Sequence, residues 1–340
     1  MIAQHSVTMV GGGPRVQALE TAHHLGAYGV EVEFFDAWKQ YRSDRFDLFH
    51  LFGANMMTHD IALRLRQFGH RFAVSSIFYT RRSPGFMRMA RRVERLANRL
   101  YSGVWTDYGL TARVCSYADA VLPNTAAEGR LIAEGLEIDR SRITVVPNGV
   151  DERFAAADPE PFRKAYGLEG FILSVGHIGS QRKNLLGLVR ALATIDHPAV
   201  IVGQVQDGPY ARQVLEEARS AGNVTIIQGL PNDSEMLASA YAACDVFALP
   251  SFFETPGIAA LEAGLAGARI VITPHGGTRE YFQELADYVE PDSVRSIAAG
   301  LERALNRPKS DALRERIRAE YLWTHVARKT ADAYRAVTGG

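Results

Sequence analysis

The chain has 340 residues, more than one ordinary domain holds, so two domains of about 150 residues are expected. Hydrophobic residues make up 47% and charged residues 22%, a balance that excludes an intrinsically disordered chain. The formal net charge is +0, which argues against a polyanion binder and against nucleic acid as a partner.

The first signal in chain order is the segment VGGGPR, Val10–Arg15, leading into a helix predicted over about Pro14–Leu25. Its glycines, Gly12 and Gly13 among them, let a ligand approach the backbone closely. Gly11-x-Gly13 with Asp36 further on looks like a dinucleotide fingerprint, but Val16 occupies the third glycine position, so NAD is not the expected ligand. Short β-like runs follow at Val30–Phe35, Phe72–Ile77, Ala120–Pro123 and Ile143–Pro147. Between them, Arg81–Tyr101 carries seven arginines against one acid, Glu94. As a helix it places Arg88, Arg92, Arg95 and Arg99 on one stripe, with Met89, Val93, Leu96 and Leu100 on the adjoining one. Such a helix either lies on an anionic membrane surface or packs its apolar stripe on its own sheet.

At 148–165 the segment PNGVDERFAAADPEPF breaks the alternation and marks a seam. Beyond it come β-like runs at Phe171–Gly176, Ala199–Gly203, Val224–Gly229, Val246–Pro250 and Arg269–Thr273, with helical stretches such as Tyr210–Ser220 and Ser234–Ala243. Consecutive apolar positions in these runs suit strands buried on both faces, and the alternation predicts right-handed β-α-β units. The expectation is two doubly wound α/β domains, 1–150 and 151–322. A last helix, about Thr324–Val337 within 323–340, returns to the first. Cys115 and Cys244 read as buried small hydrophobes of a reducing compartment. No basic start followed by an apolar run marks a signal peptide, and no apolar run approaches the roughly 20 residues of a spanning helix. A cytoplasmic protein is expected.

Two segments carry chemistry. ILSVGHIGSQRKN, Ile172–Asn184, is a buried strand followed by a glycine-containing loop with His177, Arg182 and Lys183, cations suited to a diphosphate. The bland alternative is a solvated loop. PSFFETPGIAALEAGLAG, Pro250–Gly267, is a buried strand, a loop with Glu254, and a helix predicted to start at Pro256. The N–H groups of Gly257, Ile258 and Ala259 at its start form an anion site, and Glu262 falls on the same face one turn along, where a ribose needs an acceptor. The bland alternative is an ordinary helix with two solvent-facing glutamates. The histidines show no ligand spacing with carboxylates and no D-x-D occurs, so no metal is expected.

Taken together and in this order, these segments resemble the retaining GT-B glycosyltransferases of family four, the glycosyl transferases group 1. The motifs are the glutamate pair Glu254 and Glu262, Val175–His177 with Lys183, Gly11–Gly13, Pro147–Asp151, Asp47–His50, Gly276–Gly277 with Glu280, and the last helix. The resemblance implies a GT-B fold, two Rossmann-like domains facing a central cleft. It implies a nucleotide-diphosphate sugar as donor, no bound cofactor, and a saccharide or lipid-linked acceptor. Lys183 and Glu254 would be catalytic. Gly12, Gly13, His177, Arg182, Lys183, Leu230, Glu254, Gly257, Ile258, Ala259 and Glu262 would bind the donor, with base contacts to the backbone near Gly229–Leu230. Transfer would be a metal-free front-face displacement. It would take place in the cytoplasm or at the inner face of the cell membrane, reached through 81–101. Three positions depart from the pattern: His177 for an arginine, Pro256 for a residue with an N–H, and Phe78–Tyr79 where a histidine often meets the sugar. The alternatives are a sugar-nucleotide epimerase of the same fold and a catalytically impaired nucleotide-sugar binder.

Overall fold

The computed structural model describes residues 1–3, 12–41, 45–101 and 103–339. They divide into two units, one of Met1–Gly149 with Trp323–Gly340 and one of Val150–Leu322.

The first unit runs β1 (Ile2–Ala3), α1 (Gly13–Leu25), β2 (Phe49–Phe52), α2 (Met56–Gln67), β3 (Phe72–Ser75), α3 (Pro84–Leu100), α4 (Asp107–Tyr117), β4 (Ala120–Val121) and α5 (Ala126–Gly135). Its strands form a parallel sheet in the order β1-β2-β3-β4. Short polar side chains start the helices by accepting from the first free N–H groups. Ser83, Thr106 and Thr125 do this for α3, α4 and α5, and Asn55 with Thr58 forms a capping box on α2.

The second unit runs α6 (Glu160–Tyr166), β5 (Ile172–Val175), α7 (Leu185–Leu192), β6 (Ala199–Val202), α8 (Pro209–Ala221), β7 (Val224–Ile227), α9 (Glu235–Ala243), β8 (Val246–Leu249), α10 (Ile258–Ala266), β9 (Arg269–Ile272), α11 (Thr278–Phe282), β10 (Ala286–Tyr288), α12 (Val294–Asn306) and α13 (Ala312–Glu320). The sheet is wholly parallel in the order β10-β9-β8-β5-β6-β7. Numbered within the unit this is 6-5-4-1-2-3, the doubly wound order with its switch point between β5 and β8. Alternate strand residues go to opposite faces, and both faces are covered. Leu173, Val200, Phe247 and Ile270 enter one apolar cluster, while Ile172, Ile201, Val246 and Val271 enter the other. That double burial explains the unbroken apolar runs in the sequence.

The chain then returns to the first unit as α14 (Trp323–Thr338). Trp323 packs where a Cβ on Gly149 would meet its ring at 2.5 Å. Buried His50 on β2 faces Tyr334 Oη through Nδ1 at 2.6 Å and Ser75 Oγ through Nε2 at 2.9 Å.

Two expected strands do not form. Ile143–Pro147 makes one bridge to Val121, with Thr144 and Val146 donating to the carbonyls of Val121 and Pro123. Pro123 and Pro147 lack the N–H groups that would extend the ladder. Val30–Phe35 is tied to the chain start by the Phe35 N–H on the Met1 carbonyl, and its neighbour β1 is two residues long. Conversely, β1, β2 and β10 are strands that the apolar pattern did not mark.

Candidate functional site

The switch point of the second sheet brings the loop after β5 beside the loop after β8. Asn184, in the left-handed region at φ 52°, pins them: its Nδ2 donates to the carbonyls of Pro250 (3.1 Å) and Pro291 (2.7 Å). The Phe252 N–H donates to the Arg182 carbonyl, and Arg182 Nη1 donates to the Phe253 carbonyl at 3.0 Å. Glu254 is fixed from the other side. Its N–H donates to His275 O and its carbonyl accepts from Gly277 N–H. Gly276, at φ 101°, lies so close to that carbonyl that a Cβ would collide with it.

The pinned loops present a three-charge cluster. Lys183 Nζ donates to Glu254 Oε1 at 2.7 Å, and Arg182 Nη1 lies 3.2 Å from the same oxygen. Glu254 is only 5% exposed. Burial alone would push its carboxyl up, but the charges of Lys183 and Arg182 hold it below the usual range. The cluster is thus a buried carboxylate facing two cations at the carboxyl end of the sheet, where open α/β sheets take ligands.

The helix start differs from expectation. α10 begins at Ile258, not at Pro256, because Gly257 takes a left-handed backbone at φ 88° and acts as N-cap. A side chain there would press on Leu249 Cδ2 at 2.9 Å. The N–H groups of Ile258 and Ala259 still occupy the first turn, where no carbonyl within the helix reaches them. The glutamates are not solvent-facing. Glu262 is 3% exposed, and its Oε2 accepts from Tyr241 Oη at 2.8 Å. Burial and the nearby Glu262 push the Tyr241 hydroxyl far up, so it stays a donor. Glu262 is therefore tied to α9 through Tyr241.

His177 is half-buried on the same loop as Lys183, and Leu230 packs its side chain on the core. Gly12 and Gly13 lie in the other unit, as N-cap and first residue of α1; Gly11 lies outside the described residues. The apolar stripe of α3 does not pack on its own sheet: Met89, Val93, Leu96 and Leu100 are 55%, 60%, 57% and 79% exposed.

One buried residue was missed in the sequence. Glu128, at the start of α5, accepts at Oε1 from Ser76 Oγ (2.5 Å) and the Phe78 N–H (2.8 Å), and at Oε2 from the Asn124 N–H (2.9 Å). Asn124 in turn accepts from Gln17 of α1. Glu128 thereby clamps the ends of β3 and β4 around Ile77, a β-branched residue held at φ 48°. Thr125 followed three residues later by Glu128 was the available signal, a capping-box spacing.

Residues 160–320 match the family model described as glycosyl transferases group 1. The chain is 28% identical over 245 residues to a D-inositol 3-phosphate glycosyltransferase of Stackebrandtia nassauensis, covering 65% of this chain and 55% of that protein. It is also 28% identical over 234 residues to a glycogen synthase of Mycobacterium tuberculosis, covering 66% and 55%. The chain spans about half the length of these curated relatives. Among solved structures, a sucrose-phosphate synthase from Thermosynechococcus elongatus superposes with TM-score 0.76 at 19% identity over 99% of both chains. HepE of Anabaena, solved in complex with UDP, superposes with TM-score 0.71 at 17% identity over 98% of both. The fold is that of the GT-B glycosyltransferases.

Proposed function

We propose, from the premise that the second unit belongs to the glycosyl transferases group 1, that this protein is a retaining glycosyltransferase using a nucleotide-diphosphate sugar. The observation that carries the reading is the buried Glu254 with Lys183 and Arg182 on one of its oxygens. A diphosphate competes with that carboxylate for both cations, since charge-assisted bonds to phosphate are at least as strong. Glu254 is then free to accept from sugar hydroxyls, while the α10 start takes up further phosphate charge. Lys183 and Arg182 stabilise the leaving phosphate as the glycosidic bond breaks, and a phosphate oxygen takes the acceptor's proton on the same face. These cations supply the charge that a divalent metal would otherwise supply. The UDP of the HepE complex makes a uridine nucleotide the first donor to try. The acceptor is a saccharide or a lipid-linked glycan, met in the cytoplasm or at the inner face of the membrane.

The test is incubation of the protein with UDP-, GDP-, ADP- and dTDP-glucose in EDTA, followed by NMR. One donor should release nucleoside diphosphate and, first, the sugar anomer of the donor linkage. A new nucleotide sugar without released diphosphate would instead mark an epimerase. Binding without any release, with and without added Mg²⁺ or Mn²⁺, would mark a binder that has lost catalysis.

A further inference from the structure

Glu262 is a buried acid with a buried donor beside it. Its Oε2 accepts from Tyr241 Oη at 2.8 Å, on the inner side of α10. Tyr241 is itself locked in place. Its side chain is fully buried, and its ring meets Phe154 at 5.6 Å and Phe247 at 5.7 Å, edge to face in both. Burial and the charge of Glu262 push its hydroxyl far above the usual range, so at neutral pH it donates. A rigid ring turns about few bonds, and packing on it fixes where the hydroxyl sits. A glutamate chain is longer and, unanchored, carries its carboxylate through several rotamers. The bond passes the fixed position of the ring to the flexible acid.

The same tyrosine is joined to the loop after β7. The Arg153 guanidinium lies 4.7 Å over the Phe154 ring. Arg153 donates through Nη1 to the Asp233 carbonyl (2.9 Å) and through Nη2 to the Asn232 carbonyl (2.6 Å). Ser234, next in the chain, caps α9, the helix that carries Tyr241. One run of contacts thus leads from the loop after β7, through Tyr241, to Glu262. On α10, Glu262 follows Ile258 by one turn, about 6 Å. The Ile258 N–H belongs to the helix start that takes phosphate charge on the donor reading.

We propose that Tyr241 is a positioning residue, which holds Glu262 in one rotamer to accept from the ribose hydroxyls of the donor nucleotide. The proposal rests on the nucleotide-sugar reading above and adds a residue that acts through Glu262 rather than on the ligand. A tyrosine that only fills the core would serve a nucleotide with ribose hydroxyls and one without them equally. A tyrosine that aims Glu262 serves the first alone.

The test is calorimetric titration of the whole protein with UDP, GDP and ADP, each beside its 2′,3′-dideoxy form. The parent should prefer the ribose form of its nucleotide by about tenfold or more, because the dideoxy form gives Glu262 nothing to accept. Tyr241→Phe keeps the ring and its packing and removes the bond; a thermal melt without nucleotide checks that the fold is kept. It should weaken the ribose form by about threefold or more, since a loose side chain must be ordered on binding, and leave the dideoxy form unchanged. In a Glu262→Ala background the preference should be gone, and adding Tyr241→Phe should change neither affinity. Equal weakening of both forms by Tyr241→Phe overturns the proposal, because it marks a packing role. So does a preference that stays at its parent value in that variant. A parent that binds both forms alike overturns it too, and leaves the donor reading standing. If none of the ribonucleotides binds, the donor reading falls and this proposal falls with it.

Discussion

Each unit buries a glutamate at the carboxyl end of its parallel sheet, but the partners differ in kind. Glu254 of the second unit is held by the side chains of Lys183 and Arg182. Glu128 of the first is held by the Phe78 and Asn124 N–H groups and the Ser76 hydroxyl. Mobile cations on long stems can move to an arriving anion. Backbone N–H groups cannot leave without unfolding the turn that carries them. On the proposed reading, the same residue type therefore makes an exchangeable site in one sheet and a permanent clamp in the other.

The largest effect should come from breaking the clamp. Glu128→Ala strands three donors in a buried place, each costing about 1–3 kcal/mol. We expect a loss of about 3 kcal/mol or more in urea unfolding of the whole protein, with Glu128→Gln losing less because its carbonyl still accepts. A loss under about 1 kcal/mol for Glu128→Ala would mean that Glu128 is not the clamp.

The exchangeable site should respond in binding rather than in folding. Lys183→Ala should weaken UDP by about 2 kcal/mol in calorimetry, roughly thirtyfold. Glu254→Gln removes the carboxylate that competes for Lys183 and Arg182, so it should bind UDP at least as tightly while losing transfer. If Glu254→Gln and Lys183→Ala weaken UDP alike, the two groups are not competitors and the exchange picture fails.

The second unit was the more legible of the two in the sequence, for a physical reason. Its strands are buried on both faces, so their apolar runs are continuous, as in AVIV at Ala199–Val202. Lys183 and Glu254 were visible because a cation-bearing loop and an acid-bearing loop each follow such a strand. What was not legible depends on the backbone. Pro256 looked like a helix start, yet the left-handed Gly257 moves that start to Ile258. Glu262 was visible as an acid on α10, but the bond it accepts from Tyr241 shows only in the packing of α9 against α10. In the first unit, the two-residue strand β1 carries almost no pattern. Glu94 read as the lone acid of a basic helix, whereas the fold buries it against Arg113 as that helix's anchor.

Acid should separate the units. Burial pushes the His50 imidazole down from 6.5 to about 3, so it stays neutral in the folded first unit. The unfolded chain takes up its proton below about 6.5 and the folded chain does not until about 3. The stability His50 contributes is therefore full above 6.5 and is lost as pH falls through that window, by about 1.4 kcal/mol at pH 5.5. Glu254, held below 4.5, adds a loss only at lower pH. Urea unfolding at pH 7 and 5.5 should show a larger loss in the parent than in His50→Gln, whose amide can still pair with Tyr334 and Ser75. The loss that remains in the variant comes from the Met1 amino group, pushed down by burial to about 6, and from His59, also lowered by burial.

The smallest effect tests whether the clamp stores strain. Ile77 sits at φ 48°, where a β-branched residue pays about 1–2 kcal/mol that glycine does not. Ile77→Gly removes that strain, but it also removes a half-buried side chain and adds about 0.5–1 kcal/mol of unfolded-state freedom. The terms nearly cancel, so the change should stay within about 1 kcal/mol of the parent in urea unfolding. Ile201→Gly, fully buried in β6 at an ordinary strand conformation, has no strain to release and should cost more than about 3 kcal/mol. Combining Ile77→Gly with Glu128→Ala gives the sharper reading. If Glu128 exists to hold the turn in its strained form, the double variant should lose less than the sum of the two single ones. Strict additivity would mean that the clamp and the left-handed residue are neighbours without being coupled.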